Sequence, residues 1–209
     1  MTLSPRLRSA TRCSLGPSRR LVAGLALFFL LATPPAWSTL VPRLTLEQMV
    51  DEAASVVQGK VLRTWSAWDN AHQFIWTHYE IGVADTMKGR LAATITISEP
   101  GGEVNGVHMT ISSAPSYLVG EEVVIFATAT EIGYQRTSGW GQGKFVVGLA
   151  NGNKIIRSPD LAAELVDLPG QGATKSAATS RKSLDGLSLN EFKAQLRDMI
   201  QSRAAKGGR

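Results

Sequence analysis

The most constraining feature of this chain is a strict two-residue alternation of side chains between residues 74 and 84. Successive side chains of a β-strand point to opposite faces, so alternate positions share a face. One face carries Ile75, Thr77, Tyr79, Ile81 and Val83, and the other carries Phe74, Trp76, His78 and Glu80. The pattern predicts a strand whose first face lies in a core.

Further short segments have the composition of strands and are bounded by Gly, Asn, Ser or Pro. They cover residues 55–65, 94–99, 107–111, 122–127, 133–137, 144–147 and 154–156. Strands of this length and spacing predict an all-β fold, an antiparallel barrel that is closed or nearly closed, or a sandwich. Gly59 inside the first segment predicts a bend or bulge there.

Helices are predicted near the start of this region and at the C-terminus. Thr45 and Gln48 form a capping box before a short helix over residues 46–53. Pro159 opens a possible second helix that extends to residue 168. A second capping box at Ser188 precedes a terminal amphipathic helix, whose apolar stripe consists of Leu189, Phe192, Leu196, Met199 and Ile200.

The first 38 residues resemble a secretory signal peptide, because five arginines precede an apolar run of about a dozen residues and a small-residue cleavage site. The expected organisation is therefore a signal peptide (1–38), a β-barrel domain (39–168), a flexible linker (169–187), and a C-terminal helix and tail (188–209). The linker prediction rests on a Gly, Ala, Ser and Thr-rich composition that lacks large apolar side chains between residues 171 and 183. We expect export to the periplasm or the exterior, with no membrane span after cleavage.

Removal of this segment also changes the charge and the thiol content. Its five arginines account for the whole excess of 22 basic over 17 acidic residues, and it contains Cys13, the single cysteine. The mature chain is thus formally neutral, which gives no argument for nucleic-acid binding. It offers no disulfide and no thiolate ligand.

Motifs of catalysis are missing from the sequence. No G-x-S-x-G motif occurs, and Ser138 and Phe145 occupy positions where a phosphate-binding loop needs Gly and Ser or Thr. His78, Glu80 and His108 form the set that a metal-dependent hydrolase would use, but nothing in the sequence brings His108 to the other two. We therefore predict no catalytic residue, no metal site and no cofactor.

Aromatic residues form the candidate binding surface. Trp65 and Trp68 end one predicted strand, and Phe74 and Trp76 begin the next, so a hairpin would bring the four together. Contiguous aromatic side chains on an outer face are typical of recognition surfaces. Either the C-terminal helix covers them, or both the aromatic residues and the helix stripe are free to bind a partner.

A family resemblance supports the barrel. Residues 54–61, the Tyr79–Glu80–Ile81 segment and the Met87–Lys88–Gly89 segment resemble the opening strands of netrin-like domains, which include the tissue inhibitors of metalloproteinases. With residues 99–103 and 141–145 added, the whole chain is similar to a group of exported bacterial proteins. The resemblance implies a small antiparallel OB-like barrel and, as one conceivable partner, a metalloprotease. Those inhibitors bind the protease zinc through an N-terminal cysteine, which the mature chain lacks.

The sequence therefore predicts an exported, non-enzymatic binding module whose partner is another exported protein. An envelope sugar or lipid binder is the alternative, and a metal-dependent hydrolase is the less favoured one. Fold resemblance alone does not give a function.

Overall fold

A computed structural model of the chain describes residues 41–158, 165–166 and 184–207. The predicted signal peptide and most of the predicted linker lie outside the described residues. The fold is mostly β, as the sequence predicted. Within the described residues no helix is both long enough and apolar enough to cross a membrane.

Most strands belong to one large sheet. The strands are β1 (Val41–Pro42), β2 (Ser55–Trp68), β3 (Ile75–Lys88), β4 (Thr94–Pro100), β5 (Gly102–Val104), β6 (Val107–Met109), β7 (Glu122–Ala129), β8 (Gln135–Thr137), β9 (Lys144–Ala150), β10 (Asn153–Arg157) and β11 (Leu165–Val166). The helices are α1 (Leu46–Glu52), a 3₁₀ turn (Trp140–Gly143) and α2 (Leu189–Gly207).

The seven-stranded sheet has the order β10-β9-β7-β2-β3-β4-β8, and β8 also pairs with β7. These pairings connect β7, β2, β3, β4 and β8 in a ring. All of them are antiparallel except β4 with β8, which is parallel and consists of one residue pair, Ile97 with Gln135. The prediction of antiparallel pairing throughout is therefore wrong at this junction, and the sheet is mixed.

Irregular pairing between β2 and β3 bends the long hairpin. The register shifts at three places, one of them between Gln58 and Gly59. A Cβ atom at Gly59 would lie 2.4 Å from the carbonyl oxygen of Gly82, so only glycine fits where the two backbones approach. The predicted irregularity at Gly59 is confirmed, and such bulges supply the curvature that a rolled sheet needs.

The sheet separates two apolar clusters. The sheet core consists of Val57, Val61, Tyr79, Ile81, Ile97, Tyr117, Val123, Ile125 and Ala127. The helix core, which includes residues of both helices, consists of Leu46, Met49, Val50, Ala53, Val56, Val124, Phe126, Phe145, Ile156, Leu184, Leu189, Phe192 and Leu196. Alternate residues of β7 enter the two clusters, so this strand is buried on both faces.

The first helix begins as predicted. The Thr45 hydroxyl accepts a hydrogen bond from the Gln48 backbone N–H, and the Gln48 side chain accepts one from the Thr45 backbone N–H. This reciprocal pair satisfies two backbone donors that a helix start would otherwise leave free. The helix then buries Met49 and Val50 in the helix core.

The C-terminal helix packs on its own sheet. Phe192 and Leu196 are fully buried, and the Phe192 ring lies 5.0 Å from that of Phe145. Met199 and Ile200 pack against the same cluster as Leu189. Asp85 of β3 pairs with Lys193 and Arg197, and Asp51 of α1 pairs with Arg203. The stripe Leu189, Phe192, Leu196, Met199 and Ile200 is therefore a core face, which corrects its prediction as a partner-binding surface.

Two other segments differ from their predictions. Leu165 and Val166, placed in a possible helix from the sequence, form a strand parallel to Val41 and Pro42. Residues 184–187 were assigned to the flexible linker, but Leu184 is buried and the Leu187 carbonyl accepts a hydrogen bond from the Ile156 N–H. The ordered C-terminal segment thus includes residues before the predicted boundary at 188.

Replacement of Phe192 tests the docking of α2. We expect Phe192→Ala to lower the free energy of unfolding by about 3–5 kcal/mol, because it leaves a cavity in the helix core. Gln201→Ala, an exposed change on the same helix, should alter it by less than about 0.5 kcal/mol. Urea denaturation measures both. A loss below about 1 kcal/mol for Phe192→Ala would contradict the docking.

Candidate functional site

The candidate site begins on the face of β2 and β3 that points away from the sheet core. The strand register sets Trp65 opposite His78, and Ala67 opposite Trp76. The rings of Trp65 and His78 stack with centroids 5.2 Å apart. The small Ala67 leaves room beside Trp76, so a third element can contact it.

Two residues of β8 and of the loop before it extend this arrangement. The Tyr134 ring meets the rings of His78 and Trp76 edge-on, at centroid distances of 5.5 and 5.1 Å. The Arg136 guanidinium carbon lies 5.8 Å from the Trp76 ring centre and 4.7 Å from that of Trp140. Aromatic and cation–π contacts of this kind each contribute about 0.5–1.5 kcal/mol.

Arg63 completes the row at the other end, with its guanidinium carbon 4.7 Å from the Trp65 ring centre. We call the row the aromatic ladder. In order of contact it consists of Arg63, Trp65, His78, Tyr134, Trp76, Arg136 and Trp140. Three separate parts of the sequence therefore supply one continuous surface.

A small residue in β4 permits this contact across strands. β4 lies between β3 and β8, and its residue beside His78 is Ser98. The Ser98 hydroxyl lies 2.8 Å from Nδ1 of His78, within hydrogen-bond distance. Burial lowers the pKa of His78 below its ordinary value, which favours the neutral imidazole at neutral pH. The ladder's charges are then those of its two arginines.

Each of these arginines has a carboxylate partner. Arg63 Nη2 donates to Glu80 at 2.8 Å. Arg136 donates to Oε2 of Glu99 from both Nε and Nη2 at 3.2 Å, and the Thr137 backbone N–H donates to Oε1 at 2.7 Å. The ladder and its partners therefore carry no net charge.

Glu99 itself is deeply buried, with 1 % of its surface exposed. Burial raises its pKa above the ordinary value, although the hydrogen bond from Thr137 and the charge of Arg136 oppose this. A buried carboxylate costs free energy unless it is paired and hydrogen-bonded. The hydrogen bonds between Glu99 and Arg136 hold the guanidinium in position against Trp76 and Trp140.

Trp140 has a backbone conformation that is rare for a bulky residue. Its φ is 59°, and that of Gly139 before it is 58°. The left-handed region costs a residue with a Cβ atom about 1–2 kcal/mol. Buried Gln142 fixes the turn by hydrogen bonds to the Leu44 N–H and the Pro42 carbonyl. Such strain is concentrated at functional sites, so it supports a role for Trp140.

The four aromatic residues chosen from the sequence separate in the structure. Trp65, 37 % exposed, and Trp76 belong to the ladder. Phe74 lies at the end of the hairpin and is 49 % exposed. Trp68 stacks on His72, with ring centroids 6.3 Å apart, and pairs with Ile75 on the opposite face of β2 from Trp65. The expectation of one surface for all four is therefore wrong for Trp68.

The structure does not bring His108 to the other two residues of the metal-site alternative, His78 and Glu80, which share one face of β3. Glu80 bonds to Arg63, His78 to Ser98, and His108 lies 3.8 Å from Glu103 in the separate β5–β6 hairpin. In the described part of the chain, no three His, Cys, Asp or Glu residues are grouped so that they could hold a metal ion.

The sequence was also compared with known proteins. No protein-family model and no curated protein matches this chain. The resemblance to netrin-like domains therefore stays a prediction from the residues.

The buried Glu99 makes stability depend on pH. Because its pKa is higher in the folded state, its contribution is fully present below its ordinary pKa of 4.5 and is lost as the pH rises through the folded-state pKa. Glu99→Gln has no such titration. We expect the unfolding free energy of the wild type minus that of Glu99→Gln to fall as the pH rises above 4.5. Urea denaturation at several pH values measures it, and a difference that grows with pH would refute this role.

Proposed function

We propose that this chain is an exported, non-enzymatic binding module that binds another exported protein through the aromatic ladder. The observation that carries the proposal is the ladder itself, a continuous row of aromatic and arginine side chains with Trp65 exposed at one end. The exposed Phe74 immediately precedes the first residue of β3. Export rests on the signal-peptide pattern of residues 1–38.

We further propose that the ring of strands is an OB-like barrel. Two features support this: β7, β2, β3, β4 and β8 pair in a cycle, and one junction, β4 with β8, is parallel. OB barrels bind ligands on the face of their second and third strands. Counted from β2, the ladder crosses the second strand, β3, and Ser98 of the third strand bonds to its His78.

The composition of the ladder favours a protein as the partner. Trp, Tyr and Arg are the residues most enriched among those that dominate binding energy at protein interfaces. Neutrality argues against a polyanion, since nucleic-acid affinity depends on cations that neutralise phosphates. Both ladder arginines are already paired with Glu80 and Glu99.

Packing inside the chain leaves the ladder as the candidate surface. The apolar stripe of α2 is already covered within the chain, because it lies in the helix core rather than over Trp65 and Trp76. A metalloprotease remains a partner that the resemblance implies. A zinc-binding N-terminal cysteine cannot be part of its recognition, since Cys13 is the chain's one cysteine and precedes the proposed cleavage site.

Affinity capture tests the proposal. The exported, C-terminally tagged chain is recovered from the envelope and the culture supernatant, and the proteins bound to it are identified by mass spectrometry. We expect one stoichiometric exported protein. The double variant Trp65→Ser/Trp76→Ser should retain about a tenth of it or less, because truncation of two such anchors costs at least ~2 kcal/mol.

Trp68→Ser is the matched control, since it makes the same change on the opposite face of β2. Circular dichroism and thermal melting establish that all variants are folded. Equal capture by the folded double variant would show that the ladder is not the binding surface. Failure of the wild type to capture any exported protein would refute a protein partner.

A further inference from the structure

A separate cleft lies between the loop that joins β2 to β3 and the loop that joins β7 to β8. It is lined by Asp69, Asn70, Ala71, Ile132 and Tyr134 and has a volume of about 220 Å³. Sites for drug-sized ligands are larger, about 300–1,000 Å³. This cleft therefore has room for one small ring.

Both loops are held by short-range hydrogen bonds. In the first, Asp69 receives backbone N–H bonds from His72 and Gln73, the latter at its Oδ1 at 2.8 Å. In the second, the Thr130 hydroxyl donates to the Tyr134 carbonyl at 2.9 Å and accepts from the Tyr134 N–H at 3.0 Å. A pre-formed cleft loses little conformational entropy when a ligand binds.

The Tyr134 ring is fixed as well. Its edge contacts with Trp76 and His78 hold it in the aromatic ladder, so one wall of the cleft is a rigid aromatic group. Ile132, 60 % exposed, supplies a second apolar wall.

The polar side chains of the cleft select the chemistry of the ligand. Asp69 uses Oδ1 within its own loop, and no hydrogen bond of its Oδ2 is found in the described part of the chain. Asn70 is exposed and offers both an amide donor and an acceptor. The lining contains a carboxylate and no cation, which disfavours anionic ligands and favours ligands with hydrogen-bond donors, such as hydroxyl groups.

We propose that this cleft binds an N-acetylhexosamine unit of a glycan. The apolar face of the sugar ring packs on Tyr134, and its hydroxyls donate to Asp69. Asn70 pairs with the acetamido group, whose methyl contacts Ala71 and Ile132. A hexose that carries only hydroxyl groups has no methyl group to contact Ala71 and Ile132.

Other ligands of the same size fit this lining less well. An acyl chain or an apolar side chain of a partner protein would cover the Asp69 carboxylate without a hydrogen bond, which costs several kcal/mol. A sugar hydroxyl satisfies the same oxygen. This inference goes beyond the proposed protein partner and does not depend on it, although Tyr134 borders both surfaces.

Isothermal titration calorimetry with the full exported chain tests the site. The ligands are chitotriose and cellotriose, which share a β-1,4-linked backbone and differ in the acetamido group. We expect chitotriose to bind with a Kd of about a millimolar or below, and cellotriose at least about tenfold more weakly.

Two variants locate the binding. Asp69→Asn keeps an oxygen for the Gln73 N–H but loses the charged acceptor, and Tyr134→Leu keeps an apolar side chain but loses the ring. Each should weaken chitotriose binding about tenfold or more, because the first variant loses a hydrogen bond to a charged acceptor and the second loses the ring on which the sugar packs. Asn190→Ala, exposed on α2, should bind like the wild type.

Three results would overturn the inference. They are no binding of chitotriose at about ten times the expected Kd, unchanged affinity in folded Asp69→Asn, and equal affinity for cellotriose. If Trp65→Ser/Trp76→Ser lost chitotriose binding while Asp69→Asn kept the wild-type affinity, the sugar would bind outside the cleft. The protein-capture experiment fails or succeeds independently, since its variants lie outside the cleft.

Discussion

The carboxylate of Glu99 is the interaction on which this arrangement depends. β8 pairs with β7 over three residues but with β4 through only one, so the backbone contributes little to the junction of β4 and β8. Glu99 bridges the two strands by accepting from the Thr137 N–H, and it positions Arg136 with its other oxygen. Burial makes the carboxylate costly, and the raised pKa reflects this cost. The junction of β4 and β8 and the position of Arg136 therefore depend on the same carboxylate.

The distribution of apolar residues explains which part of the outer face the helices cover. β7 is buried on both sides, because α1 and α2 cover one face and the sheet core fills the other. On the outer face of β2 and β3, α2 contacts Gln58 and Asp85. Trp65 and Trp76 lie elsewhere on this face, where they contact His78, Tyr134 and the two ladder arginines. Pairing each arginine with a carboxylate leaves a surface with no net charge.

Local patterns predicted the parts of the fold that depend on near neighbours. The sequence predicted the alternation before Ala84, the capping box at Thr45 and the bulge at Gly59. It also predicted the outer position of Trp76. The parallel contact of β8 with β4 was not, because it joins residues far apart in sequence. Tyr134 and Arg136 are two residues apart in a predicted strand and so share one face of it. Their neighbours in the sequence do not show that this face contacts Trp76. Trp68 was misplaced because the odd and even positions of β2 point to opposite sides.

Hydrogen exchange of the Thr137 backbone amide, followed by NMR, tests the central claim most directly. If the Glu99 carboxylate joins β8 to β4, this amide should exchange as slowly as the amides of β7, which open only with large-scale unfolding. Exchange at the rate of the exposed loop amides would show that the amide is not held by Glu99. In that case neither the junction of β4 and β8 nor the position of Arg136 could depend on this carboxylate.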